Sequence, residues 1–353
     1  MSDFRRADYG LAQLLQFEHV AWFDSGKVRI LDRRVYPTEI RYAECTSHTE
    51  VAQAIADMVT QSAGPYYAAA HGMTLAAWEC RTSADPIAYL RKAAYTLSHA
   101  RPTTAVRMEA ITGAALQAAE AALAEGKPLV PAMEAFALDL MERRYRNINK
   151  CATYLVDQMP KSCTLLTQCF AETVVGLFIR EAQQRGIDLK LICPETRPFL
   201  QGARLTASVA QQQGCPVHVI SDNMPGLLLS EGKIDLFTSA ADAICMDGTV
   251  INKVGTYQIA LCAKEAGVPY YVTGAPDRKH KEGKDVPIEQ RDGSALLEFR
   301  GIRTTLPGVQ GLYPAFDRTP GRLVTGVVTD RGIFAPTDLV SYFTDADDDF
   351  PGA

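Results

Sequence analysis

Along the first half of the chain, apolar positions recur at three-to-four spacing. His48–Gln61 (HTEVAQAIADMVTQ), His71–Cys80 (HGMTLAAWEC) and Thr103–Gly126 are Ala-rich with that spacing, which predicts amphipathic helices. Gly126 and Pro128 close the last of these, and Pro131–Met159 supplies a further helix up to Pro160. Ahead of them, Val20–Arg34 carries two β-prone runs around Asp24-Ser25-Gly26, a hairpin signal.

Past Pro160 the rhythm changes. Short β-rich runs alternate with helical stretches: SCTLLTQ (Ser162–Gln168), LKLIC (Leu189–Cys193), VHVIS (Val217–Ser221), IDLFTSA (Ile234–Ala240) and YYVTG (Tyr270–Gly274). Several of the helical stretches between them end at a glycine just before the next strand, as αβ connections prefer. Five strands in βαβ alternation predict a Rossmann-like, doubly wound, mostly parallel sheet. LVTGVVTD (Leu323–Asp330) adds one more strand beyond a Gly- and Pro-rich stretch. The expected architecture is α/β. A mainly helical N-terminal domain, 1–150, opens with a β-hairpin, and a Rossmann-like catalytic domain, 151–353, follows.

Composition narrows the class without changing that picture. At 353 residues, 47% hydrophobic and 22% charged, the chain has a globular profile and can bury a large core without staples. A net charge of −5 gives no bulk field that would draw nucleic acid or an anionic membrane. An anionic ligand must therefore be met by a few local Arg, Lys and backbone N–H groups. The stretch Met1–His19 mixes Asp3, Arg5, Arg6, Asp8 and Glu18 into its apolar residues, unlike a signal peptide. No run approaches the ~18 apolar residues of a membrane span. Nine scattered cysteines without a CxxC pair fit reduced thiols in a cytoplasmic protein and no zinc site.

Several catalytic signatures are missing: there is no GxGxxG after a strand, no GxxxxGK[ST], no HExxH and no GxSxG. What remains is positional, because open α/β sheets bind ligands at the carboxyl ends of their strands. Those ends carry Gln168-Cys169-Phe170, Glu195-Thr196-Arg197, Ser221-Asp222-Asn223 and Ala241-Asp242. A thiol just before a helix has its thiolate favoured by the helix N-terminus. Asp242, flanked by Ala240, Ala241, Ala243 and Ile244, is expected in an apolar shell with a raised pKa, suited to a general acid. The same residues also have plainer readings. Cysteines are commonly packing residues, Asp222 and Asp242 are also cap or turn candidates, and Arg101-Pro102-Thr103 is a helix start.

The strand-end residues also spell a family. PETRPFLQGARLTA (Pro194–Ala207), SDNMPG (Ser221–Gly226), the run Ser239–Val272 containing INKVGTY, and YPAFDRTPGRLVTGVVTDRG (Tyr313–Gly332) resemble the methylthioribose-1-phosphate isomerases. Those are relatives of ribose-1,5-bisphosphate isomerase and of the regulatory subunits of initiation factor 2B. LDRRVYP, HTEVAQAIADMV, LSHARPTTAV and VPIEQRDG carry the similarity over nearly the whole chain. The resemblance implies catalytic roles for Cys169 and Asp242 and substrate-binding roles for Arg101, Gln201, Asn252 and Lys253. It further implies a homodimer needing no metal or organic cofactor, acting on a sugar phosphate in methionine salvage. The reaction would convert a 5-substituted ribose 1-phosphate, foremost S-methyl-5-thioribose 1-phosphate, to the ribulose 1-phosphate. 5-Deoxyribose 1-phosphate and ribose 1,5-bisphosphate are alternative substrates, and a non-catalytic, ligand-sensing protein of the initiation factor 2B type is the alternative class.

Two stretches depart from the family's usual sequence. The phosphate-contacting run RGAPAIG is here QSAGPYY, Gln61–Tyr67, with Gln61 in place of arginine. Gln cannot replace a bidentate, always-charged guanidinium, so Arg107 and His71 become candidate cations. After Cys169 the chain reads Phe170-Ala171-Glu172 and enters its helix early. Tyr66, Tyr67, His71 and Phe170 are then candidates for a more aromatic pocket, or for packing between domains.

Overall fold

The computed structural model describes residues 5–101 and 105–343. They form two compact units whose boundary in sequence lies between Asn147 and Ile148. The first unit begins with α1 (Phe17–Val20) and the predicted hairpin, β1 (Ala21–Asp24) and β2 (Lys27–Leu31), which pair antiparallel around Ser25 and Gly26. A third strand, β3 (Tyr42–Cys45), joins β2 and was not expected, since four residues give little periodicity to read.

Helices α2 (His48–Ala56), α3 (Gly64–Glu79), α4 (Pro86–Ser98), α5 (Ala105–Ala124) and α6 (Leu129–Val156) follow. Ser47 and Asp85 cap α2 and α4 by accepting from the N–H groups of Glu50 and Ala88, respectively. The α3 helix begins at Gly64, seven residues before the start expected at His71. It is buried on all sides from Gly64 to Ala77, so no polar face marks its onset. The α4 helix escaped the periodicity because its buried stripe is only Leu90, Ala93, Ala94, Leu97 and Ser98. The expected helix start at Arg101-Pro102-Thr103 falls partly outside the described residues.

The second unit is built on a seven-stranded sheet. Its strands are β4 (Ser162–Gln168), β5 (Asp188–Pro194), β6 (Val217–Ile220), β7 (Leu236–Ala240), β10 (Tyr270–Thr273), β16 (Gly326–Thr329) and β17 (Gly332–Phe334). The order is β17-β16-β10-β7-β4-β5-β6, parallel throughout except for the edge strand β17. Chain order therefore reverses between β4 and β7, the switch point of a doubly wound sheet, where such folds bind their ligands. Helices α7 (Thr173–Gln184), α8 (Ala207–Gln212), α9 (Pro225–Ser230) and α10 (Thr256–Glu265) make the crossovers. Gly186, Gly214, Gly232 and Gly267 all take φ of +65° to +69° just past those helices, the left-handed stop expected of αβ connections. Leu165, Leu166, Leu191, Phe237, Tyr270, Val272 and Val327 form the sheet's core, each worth roughly 1.5–3 kcal/mol of burial.

A small antiparallel sheet was not foreseen. It consists of β8 (Ala243–Ile244), β9 (Val250–Lys253) and β15 (Phe316–Thr319), with β9 in the middle. Two-residue ladders pair β11 (Gln290–Arg291) with β14 (Tyr313–Pro314) and β12 (Glu298–Phe299) with β13 (Ile302–Arg303). Among the described residues no helix is long and apolar enough to cross a membrane.

Candidate active site

Cys169 stands directly after β4 and Asp242 two residues after β7, so the two flank the switch point. Cys169 has φ +61°, and Glu172, Thr196 and Leu200 in the same pair of loops are also left-handed at +54° to +65°. A non-glycine residue held there stores about 1–3 kcal/mol and persists only where its surroundings over-determine it. The restraints are visible. Thr206, on the π-helical turn Gly202–Thr206, donates its hydroxyl to the Cys169 carbonyl at 2.6 Å. Asp222 accepts from the N–H groups of Thr196 and Arg197, both at 2.7 Å. Asp222 thus clamps the Pro194–Ala207 loop.

Lys253 ends β9, is only 5% exposed, and places Nζ 4.5 Å from the centre of the Phe316 ring. Burial lowers its pKa, while Cys169 and Asp242 pull it back up. Burial likewise pushes the Cys169 thiol up to about 11, against the pull of Lys253, the Phe170 N–H and Arg291. This corrects the expectation of a thiolate favoured by the helix terminus. The sulfur is desolvated, and that penalty on the charged form exceeds the help of its neighbours.

The register of Lys253 is set by the turn that follows it. Thr256 donates to the Lys253 carbonyl at 2.7 Å and receives a hydrogen bond from the buried Asn252 amide at 2.9 Å. Gly255 takes φ +105°, and a Cβ there would lie 2.9 Å from Gln168 Nε2. That nitrogen donates to the Val254 carbonyl at 3.1 Å, tying the end of β4 to the turn after β9. Asp317 accepts from Gly255 and Tyr257 N–H with one oxygen, while the other is buried without a hydrogen-bond partner; burial raises its pKa to about 6.

Asp242 is exposed in the isolated chain, contrary to the expected apolar shell. Its flanking Ala241 and Ala243 are themselves only partly buried, because the chain leaves the sheet there and returns through β8. Its N–H donates to Ile251 at 2.9 Å, and its charge reaches both Cys169 and Lys253. Gln201 is 7% exposed at the head of the π-helical turn. Cys169, Asp242, Gln201, Asn252 and Lys253 thus all belong to the second unit, whereas Arg101 belongs to the first, just past α4 and half-buried.

In the first unit, Tyr66, Tyr67 and His71 are all buried. Tyr67 is fully buried with its ring 6.0 Å from that of Tyr145, and Tyr66 lies under the Arg144 guanidinium. His71 accepts from the Phe23 N–H and is held neutral by burial, its pKa lowered to about 4. It is no cation at neutral pH. Arg107 is exposed, and Phe170, in the second unit, is 6% exposed.

Sequence reasoning did not single out Arg291, Glu289 and Tyr313, which lie beside this cluster. The Arg291 guanidinium donates to Glu289 at 2.8 and 3.2 Å and lies 5.5 Å from the Phe316 ring that also underlies Lys253. The VPIEQRDG run was the available signal. Beneath Cys169 lies a cavity of about 10 Å³, room for one water and far too small for a substrate. Several of its threonines spend their hydroxyls on backbone carbonyls: Thr167 on Ile192, Thr238 on Tyr271 and Thr273 on Ser239.

A half-buried thiol, an exposed carboxylate and a buried cation thus act on one another near the switch point of a doubly wound α/β sheet. Residues 61–336 match the model of the initiation factor 2 subunit family, and the chain belongs to that family. It is 37% identical over 336 residues to the methylthioribose-1-phosphate isomerase of Pelotomaculum thermopropionicum, spanning 89% of this chain and 90% of the relative. The enzyme of the same name from an Anaeromyxobacter species is 38% identical, over 89% and 95%. Among solved structures, 5-methylthioribose 1-phosphate isomerase from Pyrococcus horikoshii matches with TM-score 0.81 at 29% identity, over 96% of this chain and 99% of the other. The delta subunit of translation initiation factor eIF-2B from A. fulgidus matches with TM-score 0.78 at 29% identity, over 91% and 97%.

Proposed function

We propose that the chain is an aldose–ketose isomerase that converts S-methyl-5-thioribose 1-phosphate to the ribulose 1-phosphate, a step of methionine salvage. The carrying observation is the arrangement at the switch point: Cys169 and Asp242 on either side of it, with buried Lys253 electrostatically coupled to both. The names of the relatives support the same reading. Glu172, a buried carboxylate three residues from Cys169, is poor company for a second phosphate and favours an uncharged 5-substituent over the bisphosphate.

The substrate phosphate sits on the anomeric carbon, so the ring cannot open to a free aldehyde. Asp242, protonated, gives its proton to the ring oxygen as the C1–O bond to that oxygen breaks. Cys169, as thiolate, takes the proton from C2, and the C2–H electron pair forms the C1=C2 double bond of a phosphorylated enediol. The C2 hydroxyl then returns a proton to Asp242 and becomes the ketone, while Cys169 delivers its proton to C1. Both groups end as they began. Lys253 offsets phosphate charge and the charge that develops on the substrate oxygens. Because the resting thiol titrates near 11, its thiolate fraction rises with pH through the neutral range. Gln201, Asn252 and Arg101 are assigned to substrate binding. The chain is assigned to the cytoplasm and to a homodimer, the latter testable by light scattering.

The test is an NMR time course of purified protein with methylthioribose 1-phosphate. Appearance of the ketose phosphate, lost in Cys169→Ala and in Asp242→Asn, is expected. Substantial turnover in either variant would overturn the roles. No turnover by folded wild-type protein would overturn the reaction and favour the ligand-sensing alternative.

A further inference from the structure

Lys253 is not the only buried cation at this site. Arg291, on β11, has a side chain only 13% exposed, and it is fixed from several directions. Glu289 takes hydrogen bonds from its Nε and Nη2 at 2.8 and 3.2 Å. The guanidinium lies 5.8 Å from the centre of Phe199, in the Pro194–Ala207 loop, and 5.5 Å from that of Phe316. Tyr313, its partner across the β11–β14 ladder, packs edge-on against Phe199 at 6.0 Å. Lys253 Nζ stands 4.5 Å from the same Phe316 ring, so two cations converge on one aromatic side chain.

With Asp242 protonated and Cys169 not yet ionised, the charges around that ring do not cancel. Lys253 and Arg291 bring two positive charges, and Glu289 and Asp242 are the carboxylates that act on Lys253. Glu289 is spent on Arg291. Asp242 must be protonated to serve as the acid, and the resting thiol of Cys169 is neutral. One positive charge is then left over among groups that act on Cys169. Tyr313 Oη adds a buried hydroxyl beside the guanidinium, and its interaction with Arg291 holds that side chain in place. A rigid guanidinium is the side chain best shaped to hold a phosphate or other oxyanion.

We propose that Arg291 is a further substrate-contacting residue, holding an anionic oxygen of the sugar phosphate together with Lys253, with Glu289 as the residue that positions it. The inference rests on the sugar-phosphate reading above. An ion pair that only braced the loop would leave ligand affinity unmoved once the fold was intact.

The experiment compares wild type, Arg291→Gln, Arg291→Lys and Glu289→Gln. It measures KM and kcat with methylthioribose 1-phosphate, and calorimetric binding of inorganic phosphate. Losing a charge-assisted hydrogen bond should raise KM and weaken phosphate binding about 10- to 100-fold in Arg291→Gln. Arg291→Lys, keeping the charge without the fork, should recover part of the loss. Glu289→Gln should lose affinity less than Arg291→Gln. The thiol of Cys169, followed by alkylation against pH, should titrate higher in Arg291→Gln, because a cation facing it is gone. Lys253, Asp242 and Tyr313, which also act on that sulfur, are unchanged in each variant. Folded Arg291→Gln with wild-type affinity for both ligands would overturn the inference. If that variant does not fold, unchanged affinity in both Arg291→Lys and Glu289→Gln would do so. Wild-type protein that binds phosphate but does not isomerise the sugar would overturn the isomerase reading alone, with the phosphate affinities still deciding for or against Arg291.

Discussion

Two turns in this molecule use the same backbone device for different ends. In the first unit, the turn leading into α3 holds Met58 and Ser62 at φ +56° and +59°. Arg33, fully buried, donates to the Gln61 carbonyl at 2.7 Å and pins it. In the second unit, the turn after β4 holds Cys169 and Glu172 at +61° and +54°, pinned by Thr206 on the Cys169 carbonyl. Backbone strain therefore does not by itself mark the chemistry. What separates the two is what the charge acts on, since Arg33 is spent on a backbone carbonyl. The helix after the first turn buries neutral side chains, His71 among them, whereas Lys253, Arg291 and Asp242 all act on the sulfur of the second.

The largest expected effect breaks this comparison directly. Cys169→Ala should cut turnover by about a thousandfold or more, as removal of a reacting group does. Met58→Gly, which relieves a left-handed residue of the first turn, should leave turnover unchanged. Steady-state kinetics on both variants, with circular dichroism to check folding, decides it. Comparable losses in the two would mean that strain, not the charged surroundings, governs activity.

Next in size is Lys253→Met, which keeps the bulk of the stem and removes the ammonium. Turnover should fall about a hundredfold, the order seen when a preorganised charge at a developing oxyanion is lost. The Cys169 thiol should move above its value of about 11, because its strongest favourable partner is gone. Alkylation rates measured across alkaline pH read this out. The sign is fixed: a higher pKa means less thiolate at every pH below it, hence slower alkylation. A thiol that titrates unchanged would show that the two groups are not coupled.

Much of this is legible in the sequence. The strands β4, β5, β6, β7, β10 and β16 were short β-rich runs, the first five alternating with helical stretches of which several end at a glycine, and chain order then placed Cys169 and Asp242 at strand ends. The β9 strand did not stand out, because its four buried positions include Asn252 and Lys253, and polarity hides burial from any periodicity argument. Arg291 was invisible for another reason. Its partners Phe199, Tyr313 and Phe316 come from distant loops, and two-residue ladders carry no pattern. The apolar flanks of Asp242 misled, since neighbours in sequence are not neighbours in space where a strand ends.

A more modest effect concerns how the site is braced. Gly255→Ala would place a Cβ 2.9 Å from Gln168 Nε2 at a backbone φ of +105°. That should cost about 1–3 kcal/mol of stability in the second unit. It should also lower activity, since the same turn holds Lys253. Thermal unfolding with a parallel rate measurement tests both. A loss of stability with no loss of activity would mean that Lys253 keeps its place without the turn.

The last effect is the most specific to the contrast between the units, because acid should act on them with opposite signs. His71 has its pKa lowered by burial from 6.5 to about 4, so below pH 6.5 the unfolded chain binds a proton that the native first unit refuses. Stability from this group is complete above pH 6.5 and is lost as pH falls toward 4, at up to about 1.4 kcal/mol per pH unit. Asp317 has its pKa raised by burial from 3.8 to about 6, so between those values the native second unit holds a proton that the unfolded chain has given up. Its contribution therefore grows as pH falls from 6 toward 4, with the opposite slope. Hydrogen exchange on core amides, Leu75 and Leu97 in one unit and Leu165 and Val272 in the other, follows each separately. His71→Gln should flatten the acid loss in the first unit by about one proton, and Asp317→Asn should remove the opposing slope in the second. Parallel slopes in wild type, unaltered by either substitution, would place the acid response in other groups.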